Sequence, residues 1–327
     1  MKKAIAAILL LCLTVLLFAC SENGKKAKTD APGYSGQTEH VEYVAQPLSY
    51  DANARVVPGD YHALHFPSGM GKALTYTKNG ATDKTVTLFG QKYLLNYRQT
   101  IIPAGGYYEI DSYVTYNKHV LIRPDTGKVV SFDTVPSYAR DYVSPVREGA
   151  TEEEYLSYAK SVLNDVAGVP TDGWEATVRI TSTKYANERG YFVLRNGTVL
   201  SLAEEDYEAT VGSRVSVTFT KKIGEFKRFD EMKVEMTGAG EVISFNAINY
   251  DEAFAPFVCV TPDRARIERA VSPLVSSYAH GPDSHVEKIV MYVDDGTLWA
   301  QVFILITGPE GASAGVTFSV EVAKIAE

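Results

Sequence analysis

Apolar and polar residues alternate with a period of two at several places along the chain, and that period identifies strands. Trp174, Ala176, Val178 and Ile180 alternate with Glu175, Thr177, Arg179 and Thr181. Val215, Val217 and Phe219 alternate with Ser216, Thr218 and Thr220, and Val316, Phe318, Val320 and Val322 repeat the pattern. Each segment is expected to have one dry and one wet face, the mark of antiparallel pairing. Two hairpins are written in their turn residues. Tyr191 to Arg195 and Thr198 to Leu202 flank Asn196-Gly197, a dipeptide suited to a tight turn. Val286 to Val293 and Thr297 to Thr307 flank Asp294-Asp295-Gly296, and the run LWAQVFILI in the second arm is apolar enough to be buried on both faces.

Helical periodicity is confined to two stretches. Thr151-Glu152-Glu153-Glu154 is a capping box, with Thr151 as N-cap and Glu154 at the third helical position. Its carboxylates also face the positive end of the helix dipole. Tyr155, Leu156, Ala159, Val162, Leu163 and Val166 form an apolar stripe that Gly168 and Pro170 end. A second helix is predicted to open at Thr261, with Pro262 in its first position, and to bury Ile267, Val271, Leu274 and Tyr278. Pro273 is expected to kink or break it.

The segments Pro124–Phe132 (PDTGKVVSF) and Thr237–Phe245 (TGAGEVISF) align, and each is followed by a Thr-capped helix. The expected fold is therefore α+β: tandem units of one helix packed on an antiparallel β-sheet, mostly β overall. A β-rich N-terminal domain is expected over 41–147, with helix-plus-sheet units over 148–250 and 251–327. The strands carrying "DTGKVVSF" and "GAGEVISF", beside their helices, resemble PepSY-type domains of exported bacterial proteins. The chain from about residue 86 to 327 resembles Gram-positive surface lipoproteins built from such units. PepSY-type domains are associated with inhibitory protease propeptides, so the resemblance implies an extracellular regulatory or binding role. It transfers no functional residue.

The N-terminus points to export. Lys2-Lys3 precede a run from Ala4 to Ala19 in which only Thr14 is clearly polar. The run falls short of the roughly 18–20 apolar residues of a membrane span but suits a signal-peptide core. Leu17-Phe18-Ala19-Cys20 resembles the lipobox of bacterial lipoproteins, with Phe18 bulkier than is usual there. The resemblance implies cleavage after a signal peptide of residues 1–19, and lipid attachment to Cys20 through diacylglycerol and palmitate-like chains. Residues 20–40, polar and bearing Gly and Pro, then read as the lipidated cysteine and a flexible linker. Two or more acyl chains hold a protein stably to a bilayer. The expected location is the extracytoplasmic face of the cell membrane.

Composition narrows the function classes. With 45% hydrophobic and 22% charged residues the chain is a folded globular protein. Its formal charge of −8, more negative once Lys2 and Lys3 leave, excludes nucleic acid as a natural partner. Cys12 leaves with the signal and Cys20 is modified, so Cys259 has no cysteine to pair with. In the apolar run Phe257-Val258-Cys259-Val260 it is expected to be buried as a small hydrophobe.

No catalytic signature survives scrutiny. Gly311-Ala312-Ser313-Ala314-Gly315 matches a nucleophile elbow literally, but a strand rather than a helix follows, and the last histidine, His285, lies upstream. A hairpin loop is the better reading. Asp60, His62 and His65, like His280, Asp283 and His285, are loose groups without the defined geometry of three or four ligands that a metal site needs, and read as solvated loop residues. Ser68 to Lys72 hints at a phosphate loop, but Phe66 stands where glycine is required. Tyr107, Tyr108, Tyr113 and Tyr116 suit half-buried strands first and contact surfaces second. Glu152 to Glu154, Glu204 to Asp206 and Asp294-Asp295 read as solvated faces.

The expectation is a non-enzymatic binding or regulatory module without cofactor, catalytic residue or metal. Its partners would be the bilayer, through acylated Cys20, and an envelope protein or peptide; sheet edges can accept such a strand. The alternatives are a cell-envelope hydrolase with an unrecognised active site and a solute-binding lipoprotein, whose parallel sheets the strand pattern fits poorly.

Overall fold

Strand β13 (Phe226–Thr237) shows why the sheet runs through the whole fold. Its even-numbered residues from Phe226 to Met236 are buried, while the odd ones up to Glu235 are exposed or half-buried. One edge pairs along its length with β12 (Thr210–Ile223) across a two-residue turn at Gly224-Glu225. The other edge is shared between two strands. Its C-terminal part pairs antiparallel with β14 (Val242–Asn246), and its N-terminal part pairs in parallel with β15 (Asp283–Asp294) at Lys227–Val290 and Arg228–Met291.

From β14 the sheet continues through β8 (Val129–Thr134), β7 (Lys118–Ile122), β6 (Ile110–Thr115) and β5 (Gln91–Ile102). The outer edge of β5 carries β3 (Leu74–Tyr76) and β4 (Lys84–Leu88). From β15 it continues through β16 (Thr297–Thr307) to β17 (Ser313–Ile325), which carries β1 (Leu48–Ser49) and β2 (Val56–Gly59) on its far side. Strand β9 (Glu175–Tyr185) pairs with β12. Among the described residues this makes one mixed sheet of 15 strands, beside a small hairpin of β10 (Phe192–Val193) and β11 (Val199–Leu200). The computed structural model describes residues 48–49, 54–59, 61, 67, 74–103, 108–134, 144–185, 192–193, 199–200, 210–278, 283–307 and 313–326. All belong to the compact unit Gln46–Glu327. The signal segment, Cys20, the linker and the Asn196-Gly197 turn lie outside the described residues.

The expected tandem units, each a helix on its own antiparallel sheet, are therefore overturned. One sheet holds every described strand except β10 and β11, and the helices α1 (Glu152–Ser161), α2 (Asp251–Phe254) and α3 (Arg264–Tyr278), of 10, 4 and 15 residues, are a minor part of the described fold. Alternation locates strands without saying which strand crosses from one group to the next. β13 crosses because its 12 residues are long enough to hold two partners on one edge. The two segments aligned in the sequence do form like hairpins, β7–β8 and β13–β14, each with a register shift at the matching place, Leu121/Ile122 and Glu235/Met236. They do not stand apart, because they pair with each other. Phe132 faces Phe245, with Ser131 opposite Asn246 and Asp133 opposite Ser244, as a two-fold axis through the phenylalanines requires. The two rings stack at 6.2 Å.

The sheet encloses two main apolar clusters. The first gathers α1, Trp174 and the inner faces of β5, β7, β8, β12, β13 and β14; the second gathers α2, α3 and the inner faces of β15 to β17. The capping box of α1 forms as expected, Glu154 N donating to Thr151 Oγ1 (3.2 Å) and Thr151 N to Glu154 Oε2 (3.1 Å). Past Ser161 the helix widens into a π turn, Val162–Ala167, and stops at Gly168 with φ 68°. Helix α3 begins later than expected: Asp263, not Thr261, caps it by accepting from Ala265 N at 2.9 Å. Pro273 does not break it, since burial of Ile267, Val271 and Val275 outweighs one missing backbone bond. The backbone of Tyr278 ends the helix, but its side chain lies outside the described set. The β15–β16 turn is the two-residue Asp295-Gly296, both with positive φ, and β16 is buried on both faces as its sequence implied.

Candidate functional site

An edge strand exposes unpaired backbone N–H and C=O groups to any extended segment that can reach them. Among the described residues β9 is the longest such strand, 11 residues paired with β12 alone and in unbroken register from Glu175–Thr220 to Tyr185–Thr210. The β12–β13, β13–β14, β15–β16 and β16–β17 ladders each contain a register shift, which β9–β12 lacks. The expected dry face of β9 is only partly dry. Trp174 just before it is buried and Val178 half-buried, but Ala176 is exposed and Ile180 is 37% exposed. The other face shows Glu175, Thr177, Arg179 and Thr181 to solvent. Lys222 Nζ holds Glu175 at 2.8 Å.

The root of this edge is anchored by a buried ionic cluster that the sequence reading missed. On β13, Arg228 and Asp230 occupy the row of Phe226, Met232 and Val234, and they are 5% and 3% exposed. Arg228 Nε donates to Asp230 Oδ1 at 2.8 Å, Nη2 donates to Asp230 Oδ2, and Nη1 donates to Asp251 Oδ1 at 2.8 Å. The guanidinium lies 4.0 Å from the Phe254 ring centroid and 5.4 Å from that of Trp174. Lys221, at the β12 register shift, places Nζ 2.8 Å from Asp251 Oδ2 and 4.8 Å from the Trp174 ring centroid. Phe254 belongs to one apolar cluster and Trp174 to the other, so the ions sit where the two meet. The signal was present in the sequence: a charged pair two residues apart in phase with Phe226, Met232 and Val234.

The hydrolase alternative asked for a nucleophile–base pair, and one Ser–His contact exists. Ser112 Oγ lies 2.9 Å from His119 Nε2. Ser112 is 3% exposed in mid-strand, out of reach of a substrate carbonyl, and Asp133, opposite His119 on the next strand, makes no hydrogen bond to the ring. A buried hydroxyl satisfied by an imidazole is the better account. Ser313 opens β17 opposite Thr307, while His285 lies across β16 in the row of Leu305 and Gly315, so the two do not meet. Gly315 is small for another reason: a Cβ there would collide with the Tyr61 ring.

The remaining sequence candidates disperse. Asp60, His62, His65, Phe66, Ser68 to Lys72, Tyr107, Glu204 to Asp206 and His280 lie outside the described residues. Among those described, no group of three or more His, Cys, Asp or Glu is placed to hold a metal ion. Tyr113 is buried and Tyr116 is 96% exposed at a turn. Tyr108 is half-buried beneath Arg123, 4.1 Å from its ring centroid; burial pushes the phenol up to about 12, with Arg123 pulling the other way. Cys259 is not buried as expected but exposed, in the turn between α2 and α3. Thr317 and Ser319, expected on a wet face, are buried beside Gln301 and Trp299, and Trp299 Nε1 and Thr317 Oγ1 have no hydrogen-bond partner among the described residues. That row is closed to solvent.

Comparison with known protein families, with curated proteins and with solved structures returns no match to this chain.

Proposed function

We propose that this protein is a non-enzymatic lipoprotein, held at the extracytoplasmic face of the membrane through acylated Cys20, that docks an extended segment of an envelope protein or peptide along β9. The observation that supports it most is the edge of β9, unpaired among the described residues, long, without a register shift, and bearing exposed Ala176 and Ile180. Main-chain bonds along such an edge supply affinity, and alternate side chains supply selectivity. Lys221 and Arg228 of the ionic cluster pack against the Trp174 ring at the root of the strand, and an edge held in place before binding loses less ordering entropy on docking.

Capture from solubilised envelope tests the docking edge. The unmodified chain is expected to retain a saturable protein partner, and Ala176→Lys with Ile180→Lys to lose it at least about tenfold, because two ammonium groups are set against an apolar face. Equal capture by the variant, folded by circular dichroism, would place the partner elsewhere. Cys20→Ser tests the anchor: the chain is expected to leave the membrane fraction, and retention would refute lipid attachment.

A further inference from the structure

We propose that the strand received by β9 is β9 of a second copy of this chain, paired antiparallel about a two-fold axis through Thr177. The inference rests on the reading of β9 as a docking edge. It is carried by the order of charges on the strand. Glu175, Thr177 and Arg179 share one exposed face, and Arg179 has no ion pair among the described residues. Charges on an edge strand ordinarily discourage association. Glu175 is held by Lys222 of its own chain, and the spacing is such that a reversed copy brings that carboxylate to Arg179 as well. With Thr177 opposite its own counterpart, Glu175 faces Arg179 of the partner subunit, and Arg179 faces Glu175 of the partner subunit. Opposite charges directly across a strand pair stabilise it and like charges destabilise it.

The other face fits in the same register. Trp174 comes opposite Ile180 of the partner subunit, and Ala176 opposite Val178 of the partner subunit. Large therefore meets medium and small meets medium along the partly exposed apolar row. Shifting the pairing by one residue would place alternate faces out of phase, and shifting it by two would bring Thr177 opposite Arg179 or Glu175 and leave Arg179 without a facing carboxylate, while Glu175 would keep only Lys222 of its own chain. The contact is isologous and so closes on itself as a dimer rather than propagating. Among the described residues the other one-sided strands of the sheet are poor sites for such pairing: β1, β2, β3 and β4 are only 2, 4, 3 and 5 residues long. An edge contact of this size is weak between molecules in solution. Two copies tethered to one membrane meet at a far higher effective concentration, where weak contacts suffice.

Disulfide trapping in the full chain, in isolated membranes, tests the pairing. In a Cys259→Ser background, Thr177→Cys puts two thiols directly opposite across the axis, within the Cα separation a disulfide tolerates. Thr181→Cys puts them far apart and serves as control. Mild oxidation is expected to give a covalent dimer with Thr177→Cys at least about tenfold faster than with Thr181→Cys. Adding Glu175→Arg alone, or Arg179→Glu alone, sets like charges face to face and is expected to slow trapping about tenfold. Adding both restores it, and mixing the two single variants gives the mixed dimer in preference to either homodimer. Equal trapping at 177 and 181 would overturn the pairing, and failure of the double variant to recover would overturn the register. Loss of envelope-partner capture in Ala176→Lys/Ile180→Lys, combined with no Thr177→Cys dimer, would retain β9 as a docking edge and reject only the second copy as its occupant.

Discussion

Replacing Asp230 by Ala probes the ionic cluster that joins the two apolar clusters. Asp230 accepts from Arg228 Nε at 2.8 Å, from Arg228 Nη2, and from the backbone N–H of Tyr250 at 3.0 Å. The side chains of Arg228 and Asp230 are 5% and 1% exposed, so water cannot take the place of the lost carboxylate. Asp251 still holds Nη1, but its side chain is 38% exposed and serves Lys221 as well. Breaking a buried pair from one side costs about 3–5 kcal/mol, and the orphaned Tyr250 N–H is part of that sum. We therefore expect Asp230→Ala to lose about 4 kcal/mol. Replacing both members, Arg228→Met with Asp230→Leu, leaves no buried charge and is expected to stay within about 1–2 kcal/mol of the parent. Urea unfolding followed by fluorescence reads this out with built-in resolution, because the two tryptophans, Trp174 and Trp299, report on different parts of the sheet. Single-tryptophan versions of the parent should unfold together, and in Asp230→Ala the two transitions should separate. A loss below about 1 kcal/mol, or a double variant no better than the single, would refute the argument that this cluster is dry and couples the two halves.

Three further outcomes follow from the geometry. Thr151→Ala removes the side-chain acceptor of the capping box and should cost about 1 kcal/mol in the same unfolding assay, whereas Glu153→Gln, outside the box, should change little. Burial raises the Tyr108 and Tyr113 phenols to about 12, against about 10 in the unfolded chain, so their contribution is fully present below pH 10 and is lost as pH climbs from about 10 towards 12. Urea midpoints should therefore fall over that range, less steeply in Tyr108→Phe; a flat profile would contradict the burial argument. Cys259 should react with a maleimide in the native chain at a rate close to that of an exposed thiol, and labelling only after urea unfolding would contradict its placement in the α2–α3 turn.

Local order was legible in the residues themselves. The capping box at Thr151, the Gly168 stop, the alternation of β12 and the twin buried faces of β16 follow from side-chain chemistry within a few positions, where sterics and hydrogen-bonding capacity decide the backbone. So did the kinship of the Phe132 and Phe245 segments. Tertiary structure alone decided that those segments pair with one another, that β13 takes β14 and β15 on the same edge, and that the result is one mixed sheet rather than tandem units. A period of two marks which side of a strand is dry but carries no information on its neighbours, because strands pair through backbone groups that every residue shares. The same limit explains the individual errors. Thr317 and Ser319 looked like wet-face residues and are buried, Cys259 looked buried and is exposed, and the apolar row of β9 is half open because no strand covers its outer edge among the described residues. Whether a polar or apolar side chain ends up dry depends on what the rest of the chain lays over it, and that is a property of distant residues.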